Sequence, residues 1–290
     1  MLRVGCPMWA HPRWVGRFLP PANRGRQLEE YARWCNAVEG NTTFYAVPSA
    51  RSVDRWAEQA PDDFRFAFKV PRHVTHELRL RGDDAIHAVT EFLAAVDPLG
   101  DRVGPVQIQL PPSFGPESTA TLRSFVGRLP AERTWAVELR HPGFFDGGPA
   151  HRAVDDVLAD AGVGRVVLDT RPLYASSPRT DAAVDERRTK PKLPVVTDVM
   201  GPKPIVRVIG SDDLDGTAAG LRAWAPDVIR WIDVGLEPYL FVHQPENLES
   251  PALARMIHDE IAAAVPHLAA LPVPLPVAPA SEIVGQDSLF

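Results

Sequence analysis

Cysteine is nearly absent from this chain: only Cys6 and Cys35 occur in 290 residues. Two isolated thiols without paired ligand spacing exclude a disulfide-stapled framework and a cysteine-based zinc site, and a reducing cytoplasm is the expected compartment. Basic charge is not in surplus either. Lys and Arg number 31 against 37 Asp and Glu, a net charge of −6, so a general nucleic-acid-binding coat is excluded while a local basic funnel is not. Long hydrophobic runs are also missing. The segment from Met1 to Pro7 is too short in apolar residues for a signal peptide and reads as a first strand. The most apolar stretch, residues 261–280, contains five prolines and His267, which argues against a membrane helix of ~20 apolar residues; no membrane association is expected.

What is present is a strict alternation of short strands and helical segments in a chain that is 45% hydrophobic. In Thr134–Arg140, Trp135, Val137 and Leu139 share one face, while Ala136, Glu138 and Arg140 share the other. Segments 37–41, 65–69, 106–110, 166–169, 206–208 and 239–243 repeat the pattern, each ending in a polar residue on one side. With a first strand at Arg3–Cys6 this predicts eight parallel strands with right-handed helical crossovers. The fold class is α/β, and the expected architecture is a single TIM-type (β/α)8 barrel, irregular in places, spanning residues 1–271. A doubly wound sheet is the competitor, but strands covered on both faces read as continuous apolar runs, unlike these. A long connection, Thr170–Pro204, follows strand six and is expected to carry a short helix near Ala182–Arg188. An extended Pro-rich tail occupies 272–290.

Several motifs have a familiar look. Gly5-Cys6-Pro7-Met8-Trp9 with His11-Pro12-Arg13-Trp14, Glu39-Gly40-Asn41-Thr42-Thr43-Phe44-Tyr45, and Phe68-Lys69-Val70-Pro71 with His73 and His76 resemble the DUF72 (YecE-like) family. Leu110-Pro111-Pro112-Ser113-Phe114, Glu138-Leu139-Arg140-His141-Pro142 and the Asp169-Thr170 strand end extend the resemblance, in order, over nearly the whole chain. It implies a TIM-like barrel without a settled function. A suggested kinship of that family with endonuclease-IV-like barrels would imply a trinuclear zinc site, but the dense array of His and carboxylates needed for one is not seen here.

One rim of the expected barrel collects Glu39, Asn41, Lys69, Gln109, Glu138, Arg140, Asp169, Arg207 and His243. Barrel interiors are usually filled by branched apolar residues, so charged inward positions at one end favour a site over packing alone. Glu39, Lys69, Glu138, Asp169 and His243 are the catalytic candidates. Lys69 would hold a phosphate or, if desolvated, form a Schiff base; the carboxylates would move a proton. Arg140 and Arg207 offer planar forks for phosphate, with Asn41, Gln109 and His141 as further substrate contacts. Trp9, His11 and Tyr45 stand in the first two loops of the rim, where they would stack a base or a sugar or else simply pack the barrel top. No metal is assigned, although Glu138, Asp169 and His243 could together hold a divalent ion, the alternative being a His–Asp hydrogen bond. Gly210-Ser211 occupies a frequent phosphate-binding place in barrels.

The last five residues, Gln286-Asp287-Ser288-Leu289-Phe290, resemble the peptide by which bacterial polymerases and repair proteins dock on the sliding clamp. Gln286 would set the register and Leu289 and Phe290 would anchor it. Asp287 departs from the apolar second position of that peptide. The leading functional expectation is an enzyme, of phosphodiesterase or hydrolase type, acting on a phosphate-bearing small molecule or nucleic acid. A non-catalytic nucleic-acid adaptor and a carbohydrate isomerase or lyase are the alternatives.

Overall fold

A computed structural model describes residues 1–21, 25–198 and 201–274. Among the described residues nine strands are laid down in order: β1 (Arg3–Gly5), β2 (Ala37–Gly40), β3 (Arg65–Phe68), β4 (Val106–Gln109), β5 (Trp135–Glu138), β6 (Gly164–Arg165), β7 (Val167–Asp169), β8 (Ile205–Ile209) and β9 (Tyr239–His243). The same residues form ten α-helices between and after the strands: α1 (Gln27–Tyr31), α2 (Ala50–Gln59), α3 (Gly82–Val96), α4 (Thr119–Val126), α5 (Pro149–Asp160), α6 (Arg171–Ala175), α7 (Asp181–Thr189), α8 (Leu214–Arg222), α9 (Ala225–Asp233) and α10 (Ser250–Ala264). Local chemistry sets their ends. Ser49 caps α2 by accepting from the Ser52 N–H at 3.3 Å, and Pro251 sits in the first turn of α10, where its missing N–H costs nothing. Gly162 takes φ +64° just past α5, a conformation that disfavours any side chain.

Every strand pairing is parallel, so the α/β class stands. The single closed barrel is not drawn by the hydrogen bonds: the ladders form three sheets, β1-β9-β8-β7, β2-β3 and β4-β5-β6. Side chains explain one gap. Between β1 and β2 the Tyr31 hydroxyl accepts from the Cys6 N–H at 2.7 Å and donates to the Ala37 carbonyl at 2.9 Å. The Asn36 side chain likewise takes the Val4 N–H and donates to the Leu2 carbonyl. These groups stand in for ladder bonds, and only Glu39 N–H to Cys6 O, at 3.0 Å, bridges the strands directly. The approach is close: a Cβ on Gly5 would lie 2.0 Å from the Ala37 oxygen. The expected sixth strand is split instead. β6, just ahead of residues 166–169, pairs with β5; Val166 bonds to Val137 at the switch, and β7 pairs with β8.

The outward faces of the strands and the helices share the main hydrophobic core. The inward faces make a second, smaller cluster of Ala37, Ala67, Ala136, Val166, Ile205, Tyr239 and Phe241. Three alanines beside two large rings fill this layer, and the charged residues stand directly after them on the same faces. The long connection after β7 carries α6 and α7, and α7 matches the helix expected near Ala182–Arg188. The Tyr174 hydroxyl donates to the carbonyls of Arg187 and Lys190, which ties α7 to α6. Among the described residues no helix is long and apolar enough to cross a membrane. Most of the expected tail, and with it Gln286, Leu289 and Phe290, lies outside the described residues.

Candidate functional site

Period-two alternation brings Glu39 from β2, Glu138 from β5 and Arg207 from β8 to one point. The Arg207 guanidinium spans both acids: Nε lies 2.5 Å from Glu39 Oε1, Nη2 donates to Glu39 Oε2 at 3.0 Å, and Nη1 donates to Glu138 Oε2 at 2.8 Å. Arg140 grips the other oxygen of Glu138, with Nε and Nη2 both 2.6 Å from Oε1. Lys69 Nζ donates to Gln109 Oε1 at 2.9 Å and lies 3.8 Å from Glu39 Oε2. Asn41 Nδ2 donates to Glu39 Oε2 at 3.0 Å and to the Pro7 carbonyl, so it orients the carboxylate, while Thr43 closes the following turn on Gly40 O. Glu39, Glu138, Lys69 and Arg207 are all at most 4% exposed.

Burial alone would push both acids up, but the cations overcome it. Arg207 and then Lys69 hold the Glu39 carboxyl down at about 2; Arg140, Arg207 and Lys69 hold Glu138 well below the usual carboxylate range. Both acids are thus held as ionised carboxylates at neutral pH. Lys69 differs. Burial and then the Arg207 charge lower it to about 8, against the opposing pull of Glu39 and Glu138.

A second group joins the expected His243 to Glu186 and Lys190 from the α7 segment, two residues that sequence reasoning missed. Glu186 Oε1 meets His243 Nε2 at 3.0 Å, and Lys190 Nζ lies 3.4 Å from Glu186 Oε2. Burial depresses the His243 imidazole below its ordinary value, outweighing the Glu186 hydrogen bond, so the ring is neutral at pH 7. Burial and then Arg207 lower Lys190 as well, which places that ammonium within the field of the central cluster. The only sequence signal was the charged run Asp185-Glu186-Arg187-Arg188 in a long rim connection.

Other expected site residues lie elsewhere. Asp169 pairs in register with Val208, on the outward face, and Leu168 takes the inward place beside Arg207. Its carboxylate is filled by Arg171, through Nε at 2.9 Å and Nη2 at 2.8 Å, and by Trp224 Nε1 at 2.8 Å. The expected pairing of Asp169 with His243 is therefore corrected: the partner of His243 is Glu186. With Asp169 turned away and Glu138 saturated by arginines, Glu138, Asp169 and His243 do not form a metal-ligand set. Trp9 stacks edge-on with Trp56 and Phe66, at 5.4 and 6.4 Å, and packs against the outer core rather than offering a face at the rim. His11 and His141 accept from the N–H groups of Arg13 and Gly143, capping short turns. Tyr45 alone of the proposed stacking residues is open, at 81% exposure. After β8, the Ser211 N–H is taken by Thr217 and Asp213 caps α8 through Gly216, so the loop offers acid and occupied amides where a phosphate was expected.

His151, Asp155 and Asp198 are the described side chains close enough together to share a cation. The chemistry there is that of an ion-paired cluster. His151 Nδ1 accepts from Gly147, which leaves the proton on Nε2, aimed at Asp155 at 3.0 Å, while Arg165 Nη1 holds Asp155 Oδ1 at 2.6 Å.

Comparison with known proteins adds the kinship. The family model described as "Protein of unknown function DUF72" matches residues 3–277. The UPF0759 protein YecE of Escherichia coli is 40% identical over 290 residues, covering all of both chains. The UPF0759 protein YunF of Bacillus subtilis is 23% identical over 198 residues, 65% of this chain and 68% of that one. Among solved structures, a DUF72 family protein from Enterococcus faecalis superposes with a TM-score of 0.67 at 17% identity, covering 96% of this chain and 100% of that one. Another from Thermotoga maritima superposes with a TM-score of 0.65 at 21% identity, covering 92% of this chain and 100% of that one. At such identities the likeness is one of fold.

Proposed function

The chain belongs to the DUF72 family, whose members are of unknown function, and from that premise we propose that it is an enzyme that binds a small phosphate-bearing substrate at the mouth formed by Lys69, Arg140, Arg207 and Lys190. The observation that carries this reading is the buried Lys69 ammonium, bonded to Gln109 and set among cations that outnumber the carboxylates beside them; burial and the Arg207 charge lower it to about 8. Lys69 has one N–H direction left after Gln109 and Glu39, and Arg140 Nη1 donates to no described residue. These are free donors for an oxyanion, and a lysine that titrates near neutrality can give or take a proton there. Arg207 serves as the post that keeps Glu39 and Glu138 ionised and the other cations placed. The three sheets are read as arcs of one barrel, because Arg207 on β8 reaches β2 and β5 at once.

The burial of Lys69, only 4% exposed, favours a small molecule over a nucleic-acid strand. The carbohydrate isomerase alternative loses support, since paired carboxylates held this low cannot shuttle a proton. A carbonyl substrate condensing with the Lys69 amine, with loss of water, is the second reading, and the same depressed pKa favours it. Docking of the terminal peptide on a sliding clamp and residence in the cytoplasm are proposals from the sequence. Calorimetric titration with inorganic phosphate and phosphate monoesters, alongside phosphate release followed by NMR, tests the main reading. Saturable binding lost in both Lys69→Met and Arg140→Met supports it; equal binding by these variants, or none by the wild type, ends it. Trapping of an adduct on Lys69 by borohydride would transfer support to the carbonyl reading.

A further inference from the structure

Tyr45 is 81% exposed, and its hydroxyl bonds to no described residue. The ring is nevertheless held in place. Thr43, two residues earlier, bonds through Oγ1 to the Lys69 carbonyl at 2.7 Å and accepts from the Lys69 N–H at 3.2 Å, which ties this loop to the backbone of the central lysine. Phe44 is buried and meets Tyr45 edge-on at 5.5 Å; it meets the His76 ring in the same way at 5.3 Å. His76 belongs to the next loop, on a π-helical turn, His73–Glu77. Both rings thus stand on the rim loops that follow β2 and β3, the strands that deliver Glu39 and Lys69. Burial and then the charges of Arg72, Arg140 and Arg79 hold the His76 imidazole below its ordinary value, so the ring is neutral at pH 7 and lies within the field of the mouth.

The loop that carries His76 is strained. Arg79 and Leu80 take φ of +52° and +63°, in the left-handed region where a Cβ is disfavoured. Arg79 is pinned there by Ser113, with Nη1 3.0 Å from Oγ and Nη2 2.9 Å from the carbonyl. Backbone strain and π-helical turns both recur at functional sites, where surrounding contacts hold a side chain that packing alone would not. Thr75 Oγ1 lies 2.8 Å from His76 Nδ1 against 3.5 Å from the Arg72 carbonyl. The hydroxyl therefore donates to the ring and leaves the imidazole proton on Nε2. That N–H meets no described partner and, unlike His243 Nδ1, is not sealed from solvent. Arg140 Nη1, also without a described partner, is likewise open.

An exposed ring face, an open imidazole N–H and a free guanidinium N–H on one rim suit a ligand with a flat face, an acceptor at its edge and an anion. A sugar phosphate would use only the last. Resting on the reading that the mouth binds a phosphate monoester, we infer that the organic part of the substrate is a planar heterocycle, as in a nucleoside monophosphate, stacked on Tyr45 with an edge acceptor on His76 Nε2.

The test is calorimetry and proton NMR on the full chain with adenosine and uridine monophosphates, ribose phosphate and adenosine as probes. At least one nucleotide is expected to bind about tenfold or more tightly than ribose phosphate, with upfield shifts of its base protons. Tyr45→Ala should erase both the preference and the shifts without changing the affinity for ribose phosphate, while Tyr45→Phe keeps them. His76→Ala should weaken nucleotide binding alone. Because Tyr45 is exposed, its variants are expected to fold. Equal affinity for the nucleotides and ribose phosphate, or a preference that survives Tyr45→Ala, overturns the inference and leaves the phosphate reading standing. Adenosine binding as tightly as its monophosphate, with the Tyr45 effect intact, supports the ring subsite and ends the phosphate reading. Binding of no probe up to about 10 mM overturns both.

Discussion

Replacing Arg207 with methionine removes the one cation that touches both buried carboxylates. Glu138 keeps Arg140, but Glu39, 1% exposed, is left with the Asn41 amide and a lysine at 3.8 Å. The hold on Glu39, from an ordinary carboxyl to about 2, corresponds to about 3 kcal/mol. Breaking a buried pair by removing one partner costs ~3–5 kcal/mol, a large part of a typical stability of ~5–15 kcal/mol. The sign with pH follows from the same hold. A carboxyl whose folded pKa is depressed contributes stability above its unfolded value of ~4.5 and loses it as the pH falls toward about 2. In the variant, burial without Arg207 raises Glu39, so the charged acid destabilises at neutral pH and protonation relieves it. Urea unfolding is therefore expected to show the widest gap between wild type and variant at about pH 7, narrowing toward about pH 4. Adding Glu39→Gln to the variant should recover a good part of the loss, although Glu39→Gln alone destabilises. A cost under about 1 kcal/mol, or no recovery in the double variant, would refute the view that Arg207 is the post of the cluster.

Asp169→Asn should cost about 1–3 kcal/mol through Arg171 and Trp224 yet leave phosphate binding unchanged in calorimetry, since the side chain faces the helices. Glu186→Ala is expected to speed proteolysis between α6 and β8 and, by removing a carboxylate from a cationic mouth, to tighten sulfate binding; slower cleavage with weaker binding would contradict the role given to α7. A synthetic peptide of residues 286–290 should compete for the pocket of a bacterial sliding clamp in a fluorescence displacement assay, and failure at high micromolar concentration removes that proposal.

The inner face of the strands was legible because its period is two: Glu39, Lys69, Gln109, Glu138 and Arg207 follow directly from alternation with large apolar neighbours. Asp169 was misplaced because its strand is short and changes partner at Val166, so alternation counted along the chain picked the wrong face. The break between β1 and β2 could not be read, since it depends on the Tyr31 hydroxyl and the Asn36 amide entering the ladder from outside the strands. Glu186 and Lys190 escaped for a related reason. Helix α7 buries little beyond Ala183, so hydrophobic spacing located the helix without saying which polar side chains turn inward. Trp9 shows the limit for aromatics, because a ring near a rim motif and a ring in the outer core look alike in sequence.

The most direct test of the central claim is the affinity for sulfate, which does not titrate in this range, measured by calorimetry from about pH 6 to pH 10. With Lys69 as an anion-holding ammonium near 8, binding should be strongest below that value and weaken as the pH rises through it, and Lys69→Arg should remove the step. A flat profile in the wild type, or an unchanged step in Lys69→Arg, would show that Lys69 does not meet the anion.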